Sequence, residues 1–282
     1  RRPALTALFG LITFLGSEDF LLLLVPLVYW CINRTLGLRL TLALLGSQYL
    51  NETLKEWIAQ PRPGPPLLPL LPATGGGYGF PSGHAQNTAA LWGTLAGLTR
   101  RPWVWAGVLV LVGLVGFSRL YLALHWPLDV VGGWAIGAAV AGLALALIRQ
   151  GGQLDARLVS PLLLGGALVL PLALLAVQAD ATNAKTAGAA LGLIAGWWLE
   201  RRNVGFEASA PPLQQAIKAA SGLAVTFGLR VALKPLLDLL PIALLPDLLR
   251  YAAIGLWIAW LAPLLFVRLF GRPAAGLTPA EV

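Results

Sequence analysis

Long apolar stretches alternate with short polar breaks along almost the whole chain. A helix needs about 20 residues to cross the hydrocarbon core of a bilayer, and most of these stretches approach that length. The pattern therefore predicts about nine transmembrane helices. They are expected near residues 20–33, 36–56, 84–99, 103–122, 128–148, 158–178, 184–199, 214–233 and 246–267.

The first apolar stretch differs from the others in length. Residues 4–16 contain two glycines and are too few to span a bilayer in the same way. Three polar residues, Ser17, Glu18 and Asp19, follow directly. We therefore interpret residues 1–19 as an interfacial N-terminal helix.

Composition supports a membrane protein rather than a soluble one. Of the 282 residues, 57% are hydrophobic and only 11% are charged, whereas a soluble domain has about a quarter of its residues charged. The sequence therefore predicts an all-α, polytopic helix bundle, and the lipid bilayer is its first expected partner.

The net charge of +8 could indicate a nucleic-acid partner in a soluble chain. Here the basic residues occur as pairs in alternate connections, which the positive-inside rule explains, so no nucleic acid is expected. The remaining connections, including residues 57–83 and 119–127, should then face the outside. The pairs that mark the cytoplasmic side are Arg34 with Arg39, Arg100 with Arg101, Arg149 with Arg157, Arg201 with Arg202, and Arg268 with Arg272.

Polar clusters surround the two histidines of the chain, and both lie on the predicted outer side. Lys55 and Arg62 are seven residues apart, which is two helical turns, so both cations can project the same way. His84 ends the motif Pro81-Ser82-Gly83-His84, directly before an apolar run. A helix that starts there would present unpaired N–H groups and a positive dipole end to an anion.

The second histidine, His125, is four residues before Asp129 at a helix start that Pro127 can initiate. At this spacing the carboxylate can reach the imidazole. The nearby cations Lys55, Arg62 and Arg119 are costly beside hydrocarbon unless an anion pairs with them, and phosphate suits them best.

A metal site is not expected in this chain. Two histidines make a poor ligand set, and the single cysteine, Cys31, lies in an apolar run. We therefore predict a site with neither a metal nor another cofactor.

Three sequence blocks occur in a recognisable order: Lys55-x6-Arg62-Pro63, then Pro81-Ser82-Gly83-His84, then Ser118-Arg119-x5-His125-x3-Asp129. Together they resemble the type 2 phosphatidic acid phosphatase (PAP2) superfamily, over about residues 50–148. The resemblance implies a six-helix membrane core with its site at the outer membrane face. We place this core at residues 20–150, with an extension to about residue 178, and about three additional C-terminal transmembrane helices in residues 151–282.

The resemblance also implies a chemistry, namely metal-independent cleavage of a phosphate ester through a phosphohistidine. His125 would be the nucleophile, Asp129 would orient and polarise it, and His84 would protonate the leaving oxygen. The phosphoryl oxygens would be bound by Lys55, Arg62, Ser82, Gly83 and Arg119. Structural support is expected from Ser118, Pro63 and Pro81.

A lipid phosphate or lipid diphosphate is the expected substrate, because both histidines should lie beside the headgroup layer. Three alternatives remain open: a small soluble phosphate ester, as in the glucose-6-phosphatase branch of the superfamily, a lipid phosphotransferase, and a non-enzymatic lipid transporter. The expected location is the bacterial inner membrane, with the site at the periplasmic or extracellular face.

Overall fold

The computed structural model describes residues 3–64, 77–99, 101–149 and 161–271. Within those ranges every regular element is helical, which confirms the predicted all-α class. The helices are α1 (Pro3–Phe14), α2 (Glu18–Leu27), α3 (Arg34–Ile58), α4 (Gly83–Thr99), α5 (Pro102–Tyr121), α6 (Pro127–Arg149), α7 (Pro161–Val177), α8 (Ala181–Asn203), α9 (Pro212–Leu237), α10 (Leu245–Leu256) and α11 (Ala262–Phe270). A π-helical turn, Val28–Ile32, continues α2, and a second one, Trp257–Leu261, joins α10 to α11.

Membrane-spanning character is clearest in four helical segments of the described ranges. These are α5, α6, α9 and the continuous stretch Leu245–Phe270, each long and apolar enough to cross a bilayer. A fifth span results if α1 and Glu18–Ile32, which meet at a bend of 45°, count together. The membrane fold is therefore confirmed, whereas the division into six core and three additional helices stays a prediction, and so does the interfacial placement of residues 1–19.

The chain divides into two compact units, and each unit combines separate stretches of sequence. The first unit comprises Arg1–Val25 with Arg39–Arg157, and the second comprises Pro26–Leu38 with Leu158–Val282. All the residues proposed for the site from sequence belong to the first unit. The domain boundaries predicted near residues 19 and 150 stay predictions.

Helix α4 is the central helix of the first unit. Its alanines, glycines and threonines are mostly buried, and it packs against α5 and α6. Small residues allow α6 to approach closely: a Cβ added at Gly133 would lie 2.6 Å from the Ser82 carbonyl oxygen, and one at Gly137 would strike the Gln86 carbonyl oxygen. This close packing fixes the start of α4 against the start of α6.

The second unit is held together by polar contacts as well as close packing. The two π-helical turns face each other, with the Tyr29 hydroxyl donating to the Ala259 carbonyl at 3.2 Å and the Trp30 indole donating to the Ile258 carbonyl at 2.8 Å. A π-helical turn leaves carbonyl groups without their usual helical partner, and these side chains supply one. On α8, Gly188, Gly192 and Gly196 lie four residues apart and allow close contact with α10 and the turn after it.

Candidate active site

Helix α3 places Lys55 in its last turn and ends at Ile58. Ala59 follows with a φ of 52°, a left-handed conformation that stops the helix and redirects the chain toward Arg62. The Lys55 ammonium donates to the Glu52 carboxylate at 2.8 Å. The end of α3 therefore presents one cation that is paired with a neighbouring carboxylate.

Arg62 lies directly against the second histidine. Its guanidinium donates to the carbonyls of Leu124 and Gly77, each at 3.2 Å, and its Nη1 lies 3.3 Å from His125 Nε2. An arginine can only donate a hydrogen bond, so Nε2 must be the accepting nitrogen of the ring. This contact favours the tautomer of His125 that carries its proton on Nδ1.

The other face of the imidazole meets Asp129 in the first turn of α6. His125 Nδ1 lies 3.2 Å from Asp129 Oδ2, and the same oxygen accepts from the Trp126 amide at 2.9 Å. Both side chains are buried. The contact that the four-residue spacing predicted is present, and Asp129 and Arg62 together fix the ring with one lone pair on Nε2.

The loop before α6 is shaped for this arrangement. Ala123 has a φ of 56°, which turns the chain sharply between the end of α5 and His125. The Trp126 indole donates to the Pro61 carbonyl at 3.1 Å, so the loop also contacts the segment that carries Arg62. A left-handed alanine is costly by itself and persists because these contacts hold it.

The segment Pro81–His84 joins the site through its backbone. The Ser82 amide donates to the Asp129 carbonyl at 2.9 Å, and the Gln86 amide donates to the Ser82 carbonyl at 2.9 Å at the start of α4. A Cβ added at Gly83 would lie 3.1 Å from Asn51 Oδ1, so a larger residue would require the Asn51 side chain to shift by a few tenths of an ångström. The Ser82 hydroxyl is buried and has no hydrogen-bond partner among the residues that the structure describes.

Arg119 lies in the last turn of α5 and is 3% exposed. Its Nη1 donates to Thr13 at 2.7 Å, while its Nε lacks a partner within the described part of the chain. Two buried donors, Ser82 Oγ and Arg119 Nε, thus lack an acceptor among the described residues. A buried donor without an acceptor is costly, and an oxyanion would satisfy both groups.

His84 lies in the first turn of α4, two residues after Ser82. The Ser82 amide donates to the Asp129 carbonyl, which holds this end of α4 beside the first turn of α6. The Thr88 hydroxyl donates to the His84 carbonyl at 2.6 Å and ties the residue to the first turn of α4. The structure therefore gathers both histidines and three cations at the end of the unit where α3 and α5 finish and α4 and α6 begin.

Three residues predicted as support have simpler surroundings. Pro63 and Pro81 are buried beside the site segments. The Ser118 hydroxyl donates to the Val115 carbonyl of its own helix. Ser118 therefore contributes to the end of α5 through the backbone that it stabilises.

Burial dominates the electrostatics of His125. It lowers the pKa of this residue from 6.5 to about 4, helped by Arg119 and Arg62, although the hydrogen bond to Asp129 acts in the opposite direction. The imidazole is therefore neutral at physiological pH, as a nitrogen nucleophile has to be. Among the described residues, no group of three or more His, Cys, Asp and Glu side chains could hold a metal ion.

Comparison with known proteins identifies the family of this site. The family model described as PAP2 superfamily matches residues 36–153, and that described as PAP2 superfamily phosphatase, transmembrane extension, matches residues 184–274. The chain is 32% identical to phosphatidylglycerophosphatase B of Bacillus subtilis over 152 residues, which cover 49% of this chain and 72% of that protein. The chain belongs to the PAP2 superfamily.

The alignments with two other relatives cover a smaller share of the relative's own length. Undecaprenyl-diphosphatase of Sulfolobus acidocaldarius is 34% identical over 121 residues, 42% of this chain and 58% of that protein. Lipid phosphate phosphatase delta of Arabidopsis thaliana is 30% identical over 159 residues, 51% of this chain and 38% of that protein. The chain therefore covers only 58% of the length of the first of these proteins and 38% of the length of the second.

Two solved structures are also similar to the chain. The phosphatidylglycerolphosphate phosphatase from Bacillus subtilis has a TM-score of 0.47 at 30% identity, over 54% of this chain and 80% of that one. Aquifex aeolicus LpxE has a TM-score of 0.45 at 28% identity, over 52% of this chain and 88% of that one.

Three residues that contact the candidate site lie outside the signature blocks and were not singled out from sequence. Glu52 pairs with Lys55, Asn51 donates to the Pro81 carbonyl at 3.2 Å, and Thr13 accepts from Arg119. For Asn51 and Glu52, the signal was available as polar residues near the end of a predicted span. For Thr13 there was none, because a threonine within an apolar helix is common and its partner is 106 residues away.

Proposed function

We propose that the protein is a metal-independent membrane phosphatase that hydrolyses a lipid phosphate or lipid diphosphate through a phosphohistidine on His125. The observation that carries the proposal is the setting of the His125 ring. Asp129 lies at Nδ1 and Arg62 at Nε2, at 3.2 and 3.3 Å. The buried donors Ser82 Oγ and Arg119 Nε belong to the same cluster and lack partners in the described structure.

In the first half-reaction, the terminal phosphoryl group would replace His125 as the partner of Arg62. Its oxygens would accept hydrogen bonds from Lys55, Arg62, Arg119, Ser82 and the backbone at Gly83. His125 Nε2 then attacks phosphorus in line, the N–P bond forms, and the ester P–O bond breaks while His84 donates a proton to the leaving oxygen. Fixed cations stabilise the charge on the transferring group, which is the main source of catalysis in phosphoryl transfer.

In the second half-reaction, water replaces the leaving group. His84, now neutral, accepts a proton from that water as its oxygen attacks phosphorus, and the N–P bond breaks to release inorganic phosphate. Asp129 stabilises the positive charge that the His125 ring carries while it is phosphorylated. The cycle returns both imidazoles to their starting states.

A lipid substrate is supported by where the cluster lies along the helices. His125 follows α5 and precedes α6, two helices with membrane-spanning length and apolarity. The junction between two such spans should lie at the headgroup layer, so a lipid could present its phosphate there while its tails stay in the bilayer. Relatives of this chain carry names such as lipid phosphate phosphatase delta and lipid A 4'-phosphatase.

The outer membrane face is the proposed side for this chemistry. Within the first unit, Arg39 near the start of α3, Arg101 before α5 and Arg149 at the end of α6 all lie at the helix ends opposite the cluster. Basic residues favour the cytoplasmic side. The cluster should therefore face the periplasm or the extracellular space.

A substrate panel tests the proposal. The purified protein in detergent micelles should release inorganic phosphate from phosphatidic acid, a lipid diphosphate or both, with EDTA present, and His125→Ala should abolish the release. Release from glucose 6-phosphate alone would favour a soluble ester instead. Transfer of phosphate to a second lipid would indicate a phosphotransferase, and lipid binding without turnover in the unaltered protein would indicate a transporter.

A further inference from the structure

We propose that Thr13, on the N-terminal helix α1, is a positioning residue for Arg119. The inference rests on the proposed phosphatase function, in which Arg119 binds a phosphoryl oxygen. Helix α1 lies outside the residues that match the PAP2 family model, since the match begins at residue 36. The signature blocks therefore say nothing about it.

Thr13 differs from its neighbours in α1 because it alone in this helix is buried. Its hydroxyl oxygen accepts from Arg119 Nη1 at 2.7 Å, in a contact between residues 106 apart. A β-branched side chain has few rotamers, so threonine offers an acceptor at a well-defined place.

Arg119 needs such a partner because an arginine side chain has many rotamers. It is nearly fully buried, and its Nε has no partner in the described ranges while Nη1 is held by Thr13. One anchored nitrogen orients the guanidinium plane and leaves other N–H groups for an oxyanion. Such pre-organisation reduces the entropy lost when the phosphate binds.

The turn after α1 also lies against the residue proposed as the general acid. A Cβ added at Gly16 would be 2.7 Å from Thr88 Oγ1 and 3.1 Å from the His84 carbonyl oxygen. Earlier in α1, the centroid of the Phe9 ring lies 4.5 Å from that of the Tyr121 ring, at the end of α5. These contacts place α1 behind both the start of α4 and the end of α5, so Thr13 is held in position relative to Arg119.

Matched threonine substitutions in the full-length protein test the assignment. Thr13→Val keeps the shape and removes the acceptor, whereas Thr13→Ser keeps the acceptor. Thr6→Val makes the same change two turns earlier on α1. We expect Thr13→Val to lower kcat/KM for dioleoyl phosphatidic acid and to weaken inorganic phosphate binding, each by about tenfold, the loss typical of a hydrogen bond to a charged group. Thr13→Ser and Thr6→Val should stay within about twofold of the unaltered protein.

A double-mutant cycle separates positioning from stability. In an Arg119→Lys background the guanidinium is absent, so Thr13→Val should cost nothing further. An equal loss in both backgrounds, or no loss in either, would overturn the assignment. If Thr13→Val does not fold, Thr13→Cys replaces it, because a thiol is of similar size and accepts hydrogen bonds weakly.

Calorimetric titration with inorganic phosphate distinguishes the failure of this inference from that of the proposed function. If the protein hydrolyses no lipid phosphate but Thr13→Val still weakens phosphate binding, the role of Thr13 stands and the phosphatase proposal fails. If hydrolysis occurs and neither kcat/KM nor phosphate affinity responds to Thr13→Val, the phosphatase proposal stands and the role of Thr13 is wrong.

Discussion

Lys218 in the second unit and Arg119 in the first are both buried cations, but their surroundings differ. Arg250 of the second unit also has a buried Nε without a described partner, so the contrast concerns these residues and not every cation of the two units. In the second unit the Lys218 ammonium donates to the carbonyls of Trp30 and Ala208, at 3.0 and 2.6 Å, and Arg34 pairs with Glu200 at 2.9 Å. In the first unit Arg119 keeps a buried nitrogen without a described partner, and Arg62 lies against the lone pair of a histidine. A buried cation whose donors are satisfied stabilises its fold, whereas one with donors to spare can bind an anion.

The largest expected effect comes from the group that fixes the His125 tautomer. Asp129→Asn keeps the size of the side chain and removes the charge that favours a proton on Nδ1. By analogy with the aspartate of serine protease triads, we expect kcat to fall by about 10³- to 10⁴-fold while the thermal midpoint changes little. The control is Glu200→Gln, which likewise exchanges a carboxylate for an amide but lies in the second unit. It should leave kcat of the folded protein nearly unchanged. A drop confined to Glu200→Gln would reverse the roles assigned to the two units.

Acidic pH should act on the first unit through His125. Its pKa in the folded protein is about 4, below its ordinary value of 6.5, so the neutral nucleophile persists down to about pH 5. We expect kcat/KM to show no loss attributable to His125 between pH 7 and 5, and then to fall about tenfold per unit below pH 4. The unfolded chain binds this proton more readily, so His125 also lowers stability as pH falls from 6.5 to 4. An acidic limb with a pKa near 6.5 would contradict the buried setting of His125 if it belongs to the enzyme. A control for the titration of the substrate phosphate makes that distinction.

In the second unit, Lys218→Met should cost stability and spare catalysis. The substitution keeps much of the aliphatic stem, removes the Lys218 donor from the Trp30 carbonyl, and leaves the Ala208 carbonyl with Gln215 as its remaining side-chain donor. We expect the free energy of unfolding to fall by about 1–3 kcal/mol, measured by chemical denaturation in detergent. The kcat of the folded protein should stay the same, and a loss of kcat without a loss of stability would break the distinction between the units.

The smallest expected effect is at Glu52, whose carboxylate accepts from Lys55 at 2.8 Å and from Gln48 at 3.2 Å. Glu52→Gln removes a negative charge beside a cation that would bind phosphate. We expect the inhibition constant for inorganic phosphate to decrease by about two- to fivefold, because the anion is repelled less. Glu56→Gln, on the same helix, provides the control. Weaker inhibition in Glu52→Gln would show that Glu52 positions Lys55 more than it repels the anion.

Local patterns were enough to predict the helices, whereas the roles of the candidate site residues were implied by the resemblance to the PAP2 superfamily and stay predictions. Among the described residues, every span that was predicted from the length of a hydrophobic run contains a helix. The four-residue spacing of His125 and Asp129 also predicted their contact. Pairings between distant segments were not predictable in this way. Nothing in the apolar pattern of Pro26–Leu38 distinguishes packing with later helices from packing with its neighbours. The contact of Thr13 with Arg119 depends on tertiary packing, which run lengths and local spacing do not encode.

The phosphorylated intermediate itself is the most direct test of the account. The purified protein is mixed briefly with a lipid phosphate labelled in its terminal phosphoryl group, quenched in alkali, and digested for mass spectrometry. We predict an acid-labile, base-stable phosphate on the peptide that contains His125, no such label in His125→Ala, and its accumulation in His84→Ala if hydrolysis of the intermediate is slowed more than its formation. Turnover of the lipid with no label on His125, or with an acid-stable phosphate on another residue, would contradict the central claim.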